Sequence, residues 1–235
     1  MSKRILVFSG AGVSAESGVK TFRDYDGLWE NHRIEDVATP EAWNRNQKLV
    51  LDFYNQRRRQ LNEVFPNEAH IAIAGLEKNY HVDVVTQNVD DLHERAGSTK
   101  VVHLHGELKK VRSTSDKSLI YNWEGDLNAG DKCELGSQLR PHIVWFGEAL
   151  NQDFLLSAKN AAEQADICII VGTSLLVFPA AEIPFYIQQN CKLFVIDPKA
   201  NELNLPIKGK NVFLIPKKAS AGMKEVVEWL RENGQ

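Results

Sequence analysis

One polar segment of this chain has the residue types needed to bind a phosphate group. GAGVSAESG (10–18) follows the apolar run ILVFS, and its GxGxxG/A positions are Gly10, Gly12 and Ala15. A glycine-rich turn between a strand and a helix lets backbone N–H groups approach a pyrophosphate, and the helix N-terminus adds a favourable field. The alternative is a tight β–α turn without a ligand, because this short pattern is weakly specific by itself.

A second polar segment, TQNVDDLH (86–93), places Gln87, Asn88 and Asp90 directly after an apolar run. Open α/β sheets bind ligands at the carboxyl ends of their strands, so these side chains are candidates for holding amide and hydroxyl groups. The alternative is a polar helix cap.

Two more segments end in the same way. HLHG (103–106) places His105 at a strand end, where an imidazole that titrates near neutrality can act as a general base, although a lone histidine is more often structural. VGTSLLVFPA (171–180) forms another strand–helix junction, and three of its residues suit phosphate or ribose hydroxyl groups: Gly172, Thr173 and Ser174.

These segments require a parallel sheet to position them. Seven short runs rich in Val and Ile predict strands that are covered on both faces: 5–9, 82–87, 101–105, 142–147, 167–172, 193–197 and 212–215. Helical patterns are predicted at 41–63, 67–78, 152–165, 178–190 and 219–232. The alternation predicts an α/β fold with a doubly wound, Rossmann-like parallel sheet. We expect no strand within 19–80 and a small, weakly packed polar module within 106–140.

An ordinary dehydrogenase is disfavoured. In such enzymes a second strand and an acidic residue follow the glycine loop by roughly 20 positions, whereas no strand is expected there in this chain.

The chain has 235 residues and a net charge of -3, which gives no reason to expect nucleic acid as a partner. Three unpaired cysteines, a first apolar run too short for a signal peptide, and no span of membrane length predict a cytoplasmic protein without a membrane partner.

Taken together, the segments resemble the sirtuins, the NAD-dependent protein lysine deacylases. The matching pieces occur in the family's order and cover almost the whole chain: GAGVSAESG with TFR (10–23), DGLWE (26–30), TQNVD (86–90), HLHGEL (103–108), LRPHIVWFGE (139–148) and GTSLLVFPA (172–180). Six motifs in order are highly specific. The resemblance implies one catalytic domain, 1–235, with a Rossmann-like core (1–30, 80–108, 140–235) and a small module (31–79, helical, and 109–139).

The resemblance also implies roles for individual residues. His105 matches the catalytic base, and Asn88 is assigned to the catalytic centre with it. NAD is the implied cofactor, contacted by Gly10, Ala11, Gly12, Ser14, Ala15, Phe22, Arg23, Trp29, Gln87, Asn88, Val89, Asp90, Gly172, Thr173, Ser174, Asp197 and Ala219. An acylated lysine on an extended protein segment is the implied partner, contacted by Tyr54, Arg57, Val144, Trp145, Phe146, Gly147, Glu148 and Val177.

The chemistry of the family explains these residue types. Asp90 would hold the nicotinamide amide while the acyl oxygen attacks the ribose, and His105 would deprotonate a ribose hydroxyl. Phe22 would shield the reactive sugar from water. An NAD hydrolase or ADP-ribosyltransferase on the same scaffold is the alternative, and His105 disfavours it because glycosidic cleavage alone does not need this base. A non-catalytic NAD sensor is disfavoured by the intact polar residues.

The chain departs from the sirtuin pattern in its small module. Most sirtuins hold a zinc ion with two CxxC pairs, whereas here Ser113 and Asp116 occupy the first pair and only Cys133 remains of the second. Two oxygens and one thiolate make a poor tetrahedral zinc set, so we expect no metal. Packing by Leu119, Ile120, Tyr121 and Trp123 would then stabilise the module. Two other positions also differ from the sirtuin pattern. Lys20 stands where the family usually has proline, and Asp197 stands where it often has asparagine.

A last feature concerns the acyl group. Tyr54 and Arg57 lie three residues apart on a predicted helix and share one face, within LDFYNQRRRQ (51–60). A Tyr-x-x-Arg pair at this place resembles the sirtuin subgroup that removes succinyl and malonyl groups. Arg58 and Arg59 are expected to form a solvated basic face.

Overall fold

The computed structural model describes residues 2–19, 28–29, 32–203, 205, 209 and 211–233, with residues 28 and 29 described by their backbone. Within these residues the strands are β1 (Arg4–Ser9), β2 (Leu28–Trp29), β3 (His32–Arg33), β4 (His81–Thr86), β5 (Val101–His103), β6 (Gly106–Ser113), β7 (Ile120–Asn122), β8 (Leu139–Ile143), β9 (Ile167–Val171), β10 (Lys192–Ile196) and β11 (Val212–Ile215). The helices are α1 (Gly12–Ala15), α2 (Ile34–Val37), α3 (Pro40–Arg45), α4 (Gln47–Glu63), α5 (Glu68–Leu76), α6 (Leu92–Arg95), α7 (Gln152–Glu163) and α8 (Ala219–Asn233), with 3-10 helices at Ala180–Tyr186 and Ala200–Glu202.

The core is a six-stranded parallel sheet of order β11-β10-β9-β1-β4-β5. Its strands are apolar along their length because both faces are covered. Helices α5 and α8 pack on one face, and α7 and the first 3-10 helix pack on the other. The predicted α/β class with a doubly wound parallel sheet is confirmed.

The chain builds this sheet outward in both directions from β1. It passes from β1 to β4 and β5 on one side, and from β9 to β10 and β11 on the other. The strand order therefore reverses between β1 and β9. Loops at such a reversal separate from one another and leave a crevice at the carboxyl ends of the strands.

The small module contains a three-stranded antiparallel sheet of order β7-β6-β8. Its strands extend past the expected limits of 109–139, since β6 begins at Gly106 and β8 ends at Ile143. Helix α4 packs against this sheet. Its apolar residues belong to two clusters, one with residues of the small sheet such as Val111 and Leu139, and one that includes Trp145. The buried residues at its contact with the small sheet are Leu51, Val111, Leu127, Cys133 and Leu139.

Several local predictions were wrong. The run 142–147 does not enter the parallel sheet, because its first residues pair antiparallel with β6. The stretch 19–80 does contain strands, the two-residue pair β2 and β3. The helix predicted at 41–63 is two helices, because Asn46 leaves helical geometry and caps α4 by accepting a hydrogen bond from Leu49 N. The helix predicted at 178–190 is a short 3-10 helix that contains Pro184, which cannot donate an intrahelical hydrogen bond.

The residues at the usual zinc positions do not fit a metal ion. The Ser113 hydroxyl accepts hydrogen bonds from the Cys133 thiol (3.3 Å) and the Asp116 N–H (3.3 Å), while the Asp116 carboxylate accepts from Ser118. No group of three or more His, Cys, Asp or Glu residues in the described ranges could hold a metal. Of the residues expected to stabilise the module, Leu119, Tyr121 and Trp123 pack against its core, whereas Ile120 is exposed.

Candidate functional site

The glycine loop after β1 lies against the loop after β9 at the point where the sheet order reverses. The Gly10 N–H donates to the Val171 carbonyl (3.0 Å), and the Gly12 N–H donates to the Gly172 carbonyl (2.8 Å). A Cβ atom on Gly12 would lie 2.7 Å from the Gly172 Cα. Gly172 has a φ of 63°, which favours glycine. The close approach of the two loops therefore requires the glycines predicted for phosphate binding.

A buried hydrogen-bond network joins this loop to the loop after β4. The Ser14 hydroxyl donates to Asp90 Oδ2 (3.0 Å) and accepts from Asn88 Nδ2 (3.1 Å). Asn88 Nδ2 also donates to the Gly10 carbonyl (3.2 Å). Burial raises the pKa of Asp90, and the hydrogen bonds from Ser14 and the Leu92 N–H oppose that rise. The network fixes two polar side chains at the crevice in a low-dielectric environment.

A side-chain hydrogen bond spans the crevice from β9 to β4. The Thr173 hydroxyl donates to Gln87 Oε1 (2.7 Å), and the Gln87 N–H donates to the Ser9 carbonyl (2.9 Å). Ser174 follows Thr173 and is half-buried. Residues that are far apart in the sequence thus surround one crevice.

His105 lies just beyond β5 with its ring directed at the loop after β4. Its Nδ1 is 2.8 Å from the Gln87 carbonyl, which can only accept, so Nδ1 carries the proton. Burial lowers the pKa of His105, and the hydrogen bond to Gln87 only partly opposes this. The ring is therefore neutral near pH 7, and its Nε2 lone pair can accept a proton.

Other predicted cofactor residues lie at the rim of the crevice or beyond it. Asp197 follows β10, and its Oδ1 accepts from the Lys199 N–H (2.8 Å), which closes a turn. Ala219 begins α8 and is buried in the apolar core. Trp29 is described only through its backbone in β2, and Lys20, Phe22 and Arg23 lie outside the described residues.

The segment predicted to hold the substrate begins beside His105. The Val144 N–H donates to the His105 carbonyl (2.9 Å), and the Phe146 N–H donates to the Ala38 carbonyl (3.0 Å). Phe146 and Gly147 are exposed, whereas Val177, on the other predicted edge, is half-buried. Val144 packs in the same apolar cluster as Leu175, which joins the two edges through the core.

Trp145 and Glu148 are engaged within the protein. The Trp145 side chain is 2% exposed, with its indole N–H donating to the Tyr54 hydroxyl (3.0 Å) and Arg140 stacked 3.3 Å from the ring centroid. Glu148 accepts from both Arg112 and Arg140 and from the Trp145 N–H (2.9 Å). These two side chains therefore support the segment rather than offer a surface to a peptide.

Helix α4 carries several buried polar residues. Tyr54 and Arg57 are both buried, and the Tyr54 hydroxyl is the acceptor of the Trp145 indole N–H. Burial raises the pKa of Tyr54 well above its usual value, although the Trp145 hydrogen bond and the charges of Arg140 and Arg57 oppose the rise. The phenol therefore stays neutral and keeps its proton.

The expectation that Arg58 is solvated is wrong. Arg58 is 1% exposed and donates to the carbonyls of Leu108 (3.0 Å) and Gly125 (3.1 Å) and to Asn55 Oδ1 (2.8 Å). Arg59 is exposed, as expected, and forms an ion pair with Asp126 (2.6 Å). Arg58 therefore connects α4 to the small sheet through β6 and the turn at Gly125.

Sequence reasoning missed the histidines that surround the network. His70 Nδ1 accepts from the Asn67 N–H (3.3 Å), which leaves its Nε2–H directed at the Ser14 hydroxyl (3.5 Å). Burial lowers the pKa of His70 to about 4, so this ring is neutral. His93 packs edge-to-face on His70 at 4.9 Å. The available signal was a histidine within the apolar helix segment EAHIAIAGL.

The Sir2 family model matches residues 10–179 of this chain. An NAD-dependent protein deacylase of Helicobacter pylori (strain ATCC 700392 / 26695) is 54% identical over 230 residues, 98% of each chain. One of Bacteroides thetaiotaomicron is 47% identical, covering 97% of this chain and 98% of its own.

Solved structures agree with the sequence comparisons. A Sir2 homologue–NAD complex superposes with a TM-score of 0.87 at 42% identity, covering 98% of this chain and 90% of its own. A complex described as Sir2-p53 peptide-NAD+ has a TM-score of 0.79 at 29% identity, covering 99% and 94%. The chain belongs to the Sir2 family, and the enzyme class predicted from its sequence, an NAD-dependent protein deacylase, is that of its relatives.

Proposed function

We propose that this protein is an NAD-dependent protein lysine deacylase that favours acidic acyl groups, succinyl and malonyl, with some deacetylase activity. The products are free lysine, nicotinamide and an O-acyl-ADP-ribose. The substrate is an acyl-lysine on an extended protein segment, bound between 144–148 and 172–180. The free, buried cysteines Cys133, Cys168 and Cys191 favour a reducing compartment, and we propose the cytoplasm.

The observation that carries the deacylase proposal is the arrangement around His105 and Asp90. The crevice brings together a glycine-rich turn, a carboxyl that accepts from Ser14, which in turn accepts from Asn88, and a neutral imidazole. NAD supplies the ribose carbon at which the reaction occurs and the nicotinamide leaving group. These residues fit it because they provide both an anion-binding loop and an acceptor for a ribose hydroxyl proton.

Each residue has one task in this mechanism. Val89 and Asp90 would hold the carboxamide of the nicotinamide and so assist its departure. Asn88 holds the Gly10 carbonyl and thus the register of the two loops. His105 Nε2 would accept a proton from a ribose hydroxyl, because its Nδ1–H is already committed to the Gln87 carbonyl. Lowering the pKa of His105 keeps this base unprotonated at neutral pH.

The preference for acidic acyl groups rests on Arg57 and Tyr54. Arg57 is 6% exposed and Tyr54 is fully buried, so a carboxylate that reaches them is removed from water. A buried carboxylate is stable only when it is paired. A guanidinium can form two parallel hydrogen bonds with a carboxylate and a phenol can add a third, whereas an acetyl group has no carboxylate to accept them.

The deciding experiment measures kcat/KM for matched succinyl-, malonyl- and acetyl-lysine peptides with saturating NAD. Arg57→Met should weaken use of the acidic substrates by about 2–5 kcal/mol, the scale for removing one partner of a buried charge pair. Deacetylation should be spared or improved. Arg59→Met is the matched control, because Arg59 is exposed on the same helix.

The outcome separates the competing functions. Mass spectrometry of reactions with and without acyl peptide distinguishes O-acyl-ADP-ribose from plain ADP-ribose or ADP-ribosylated protein. An equal loss on all peptides in Arg57→Met would mean that Arg57 supports the fold and does not select the acyl group. Nicotinamide release without any requirement for acyl peptide would favour the NAD hydrolase.

A further inference from the structure

Three consecutive carbonyls of the loop after β4 are held by the segment HLHGEL. Gln87 O accepts from His105 Nδ1 (2.8 Å), Asn88 O accepts from His103 Nδ1 (2.9 Å), and Val89 O accepts from the Leu108 N–H (2.8 Å). The loop that carries Asn88 and Asp90 therefore takes its backbone position from the chain that follows β5. The family mechanism uses only one of the two histidines, His105.

His103 differs from His105 in having an acceptor at both ring nitrogens. Its Nε2 is 2.7 Å from Glu94 Oε1, and its Nδ1 faces the Asn88 carbonyl. A carbonyl and a carboxylate can only accept, and a neutral imidazole has only one N–H. Both contacts are satisfied together when the ring is an imidazolium. Because His103 is 6% exposed, this charge is held within the protein beside the site.

The opposing effects on the pKa of His103 agree with a protonated ring. Burial by itself would lower the pKa of His103, but the hydrogen bond and charge of Glu94 outweigh it, so the pKa is raised. The other titratable groups that act on the ring are Glu107 on β6, Asp90 in the loop, and His93, which like Glu94 lies on α6. The imidazolium in turn favours the ionised form of Asp90.

We propose that the His103–Glu94 pair is a positioning device for the NAD-binding loop 87–90. Glu94 keeps both ring nitrogens of His103 protonated, and His103 holds the Asn88 carbonyl, which sets where Asn88 and Asp90 meet the nicotinamide end of the cofactor. His103 is buried and both its ring nitrogens are engaged within the protein, so it acts through Asn88 and Asp90.

Two substitutions of the same residue separate the two contacts. In His103→Asn the amide nitrogen can occupy the place of Nδ1 and keep the hydrogen bond to Asn88. In His103→Gln the amide nitrogen can occupy the place of Nε2, which keeps the hydrogen bond to Glu94 but loses the one to the Asn88 carbonyl. His103→Gln should lower kcat/KM for NAD by about 10- to 100-fold, the scale of a lost hydrogen bond from a charged donor, and His103→Asn should lose much less.

The readouts are initial rates against NAD at saturating acyl peptide, rates against peptide at saturating NAD, and the midpoint of thermal unfolding. The effect should appear in the NAD kinetics and leave KM for the peptide unchanged. His81→Gln is the matched control, since His81 is exposed at the amino end of β4, far from the carboxyl-end loops. Equal values for His103→Asn and His103→Gln, or a His103→Gln enzyme with the parent's NAD kinetics, overturn the proposal.

Glu94→Ala provides a test that does not depend on the folding of His103 variants. The Glu94 side chain is 40% exposed, so its truncation is compatible with the fold. Without Glu94 the pKa of His103 falls and the ring becomes neutral at neutral pH. Its remaining proton lies on Nδ1, so the hydrogen bond to the Asn88 carbonyl persists but is weaker, because its donor is no longer charged. The measured quantity is the ratio of KM for NAD in Glu94→Ala to that in the parent at the same pH. This ratio should be several-fold above one at pH 8 and should fall toward one as the pH is lowered. A ratio that does not change with pH contradicts the proposal, even if both His103 variants unfold.

Discussion

Replacing Arg58 with methionine should destabilise the fold, although Arg58 lies in a run of three arginines that reads as a solvated surface. The guanidinium is buried and donates to Leu108 O, Gly125 O and Asn55 Oδ1. Asn55 itself exchanges two hydrogen bonds with the backbone of Leu127. Arg58 and Asn55 together therefore connect α4 to the small sheet, at a place where the described residues contain no metal site.

The magnitude follows from opposing contributions. Each hydrogen bond from a charged donor is worth roughly 1.5–3 kcal/mol. Methionine has no donor, so the three acceptors of Arg58 lose their hydrogen bonds. Removing a buried charge offsets part of this loss, because burial lowers the pKa of Arg58 to about 10. That shift from 12.5 corresponds to about 3 kcal/mol. Methionine retains most of the apolar stem. The net loss of unfolding free energy should be about 2–5 kcal/mol.

Thermal and denaturant unfolding measure this directly. For a chain of this size the loss corresponds to a Tm lower by about 5–15 °C. Arg59→Met is the neighbouring control, because an exposed ion pair such as Arg59–Asp126 is worth about 0–1 kcal/mol. If Arg58→Met and Arg59→Met unfold at the same temperature, the contacts of Arg58 do not stabilise the small module and the reasoning fails.

The remaining predictions concern the site and the metal. His105→Ala should abolish deacylation, by about 10²–10⁴-fold, while leaving NAD binding in place, and a variant with near-parent turnover would remove His105 from its role. A base must be unprotonated, and burial lowers the pKa of His105, so the acidic limb of kcat/KM against pH should fall below the usual histidine value of 6.5; a limb above 7 would contradict this. Elemental analysis should find far less than one zinc per chain, and chelators should leave activity intact; stoichiometric zinc in a chelator-sensitive enzyme would overturn the expectation. Trp145→Phe should lower the ratio of desuccinylation to deacetylation, because the Tyr54 hydroxyl loses its indole donor; an unchanged ratio would separate Trp145 from acyl selection.

The alternation of apolar runs with helical patterns was enough to predict the parallel sheet, because strands covered on both faces are apolar along their whole length. The same signal misplaced 142–147, since an apolar run shows burial but not the partner strand. Pairing of β8 with β6 is a long-range choice that depends on the small sheet. Gly10, Gly12 and Gly172 could be identified because each motif is local, and the structure shows their backbones in contact.

The sequence by itself determined the residue types of the site and the order of its motifs, through which the Sir2 resemblance could be recognised. Only the tertiary structure decided how neighbouring residues differ in environment. Arg57, Arg58 and Arg59 are adjacent in the chain, yet Arg57 and Arg58 are buried, Arg58 donates to carbonyls of the small module, and Arg59 is exposed. His103 and His105 are likewise two residues apart, but only the fold brings Glu94 to one of them. A charge state and a burial depend on groups that are distant in the sequence, and no local pattern encodes those groups.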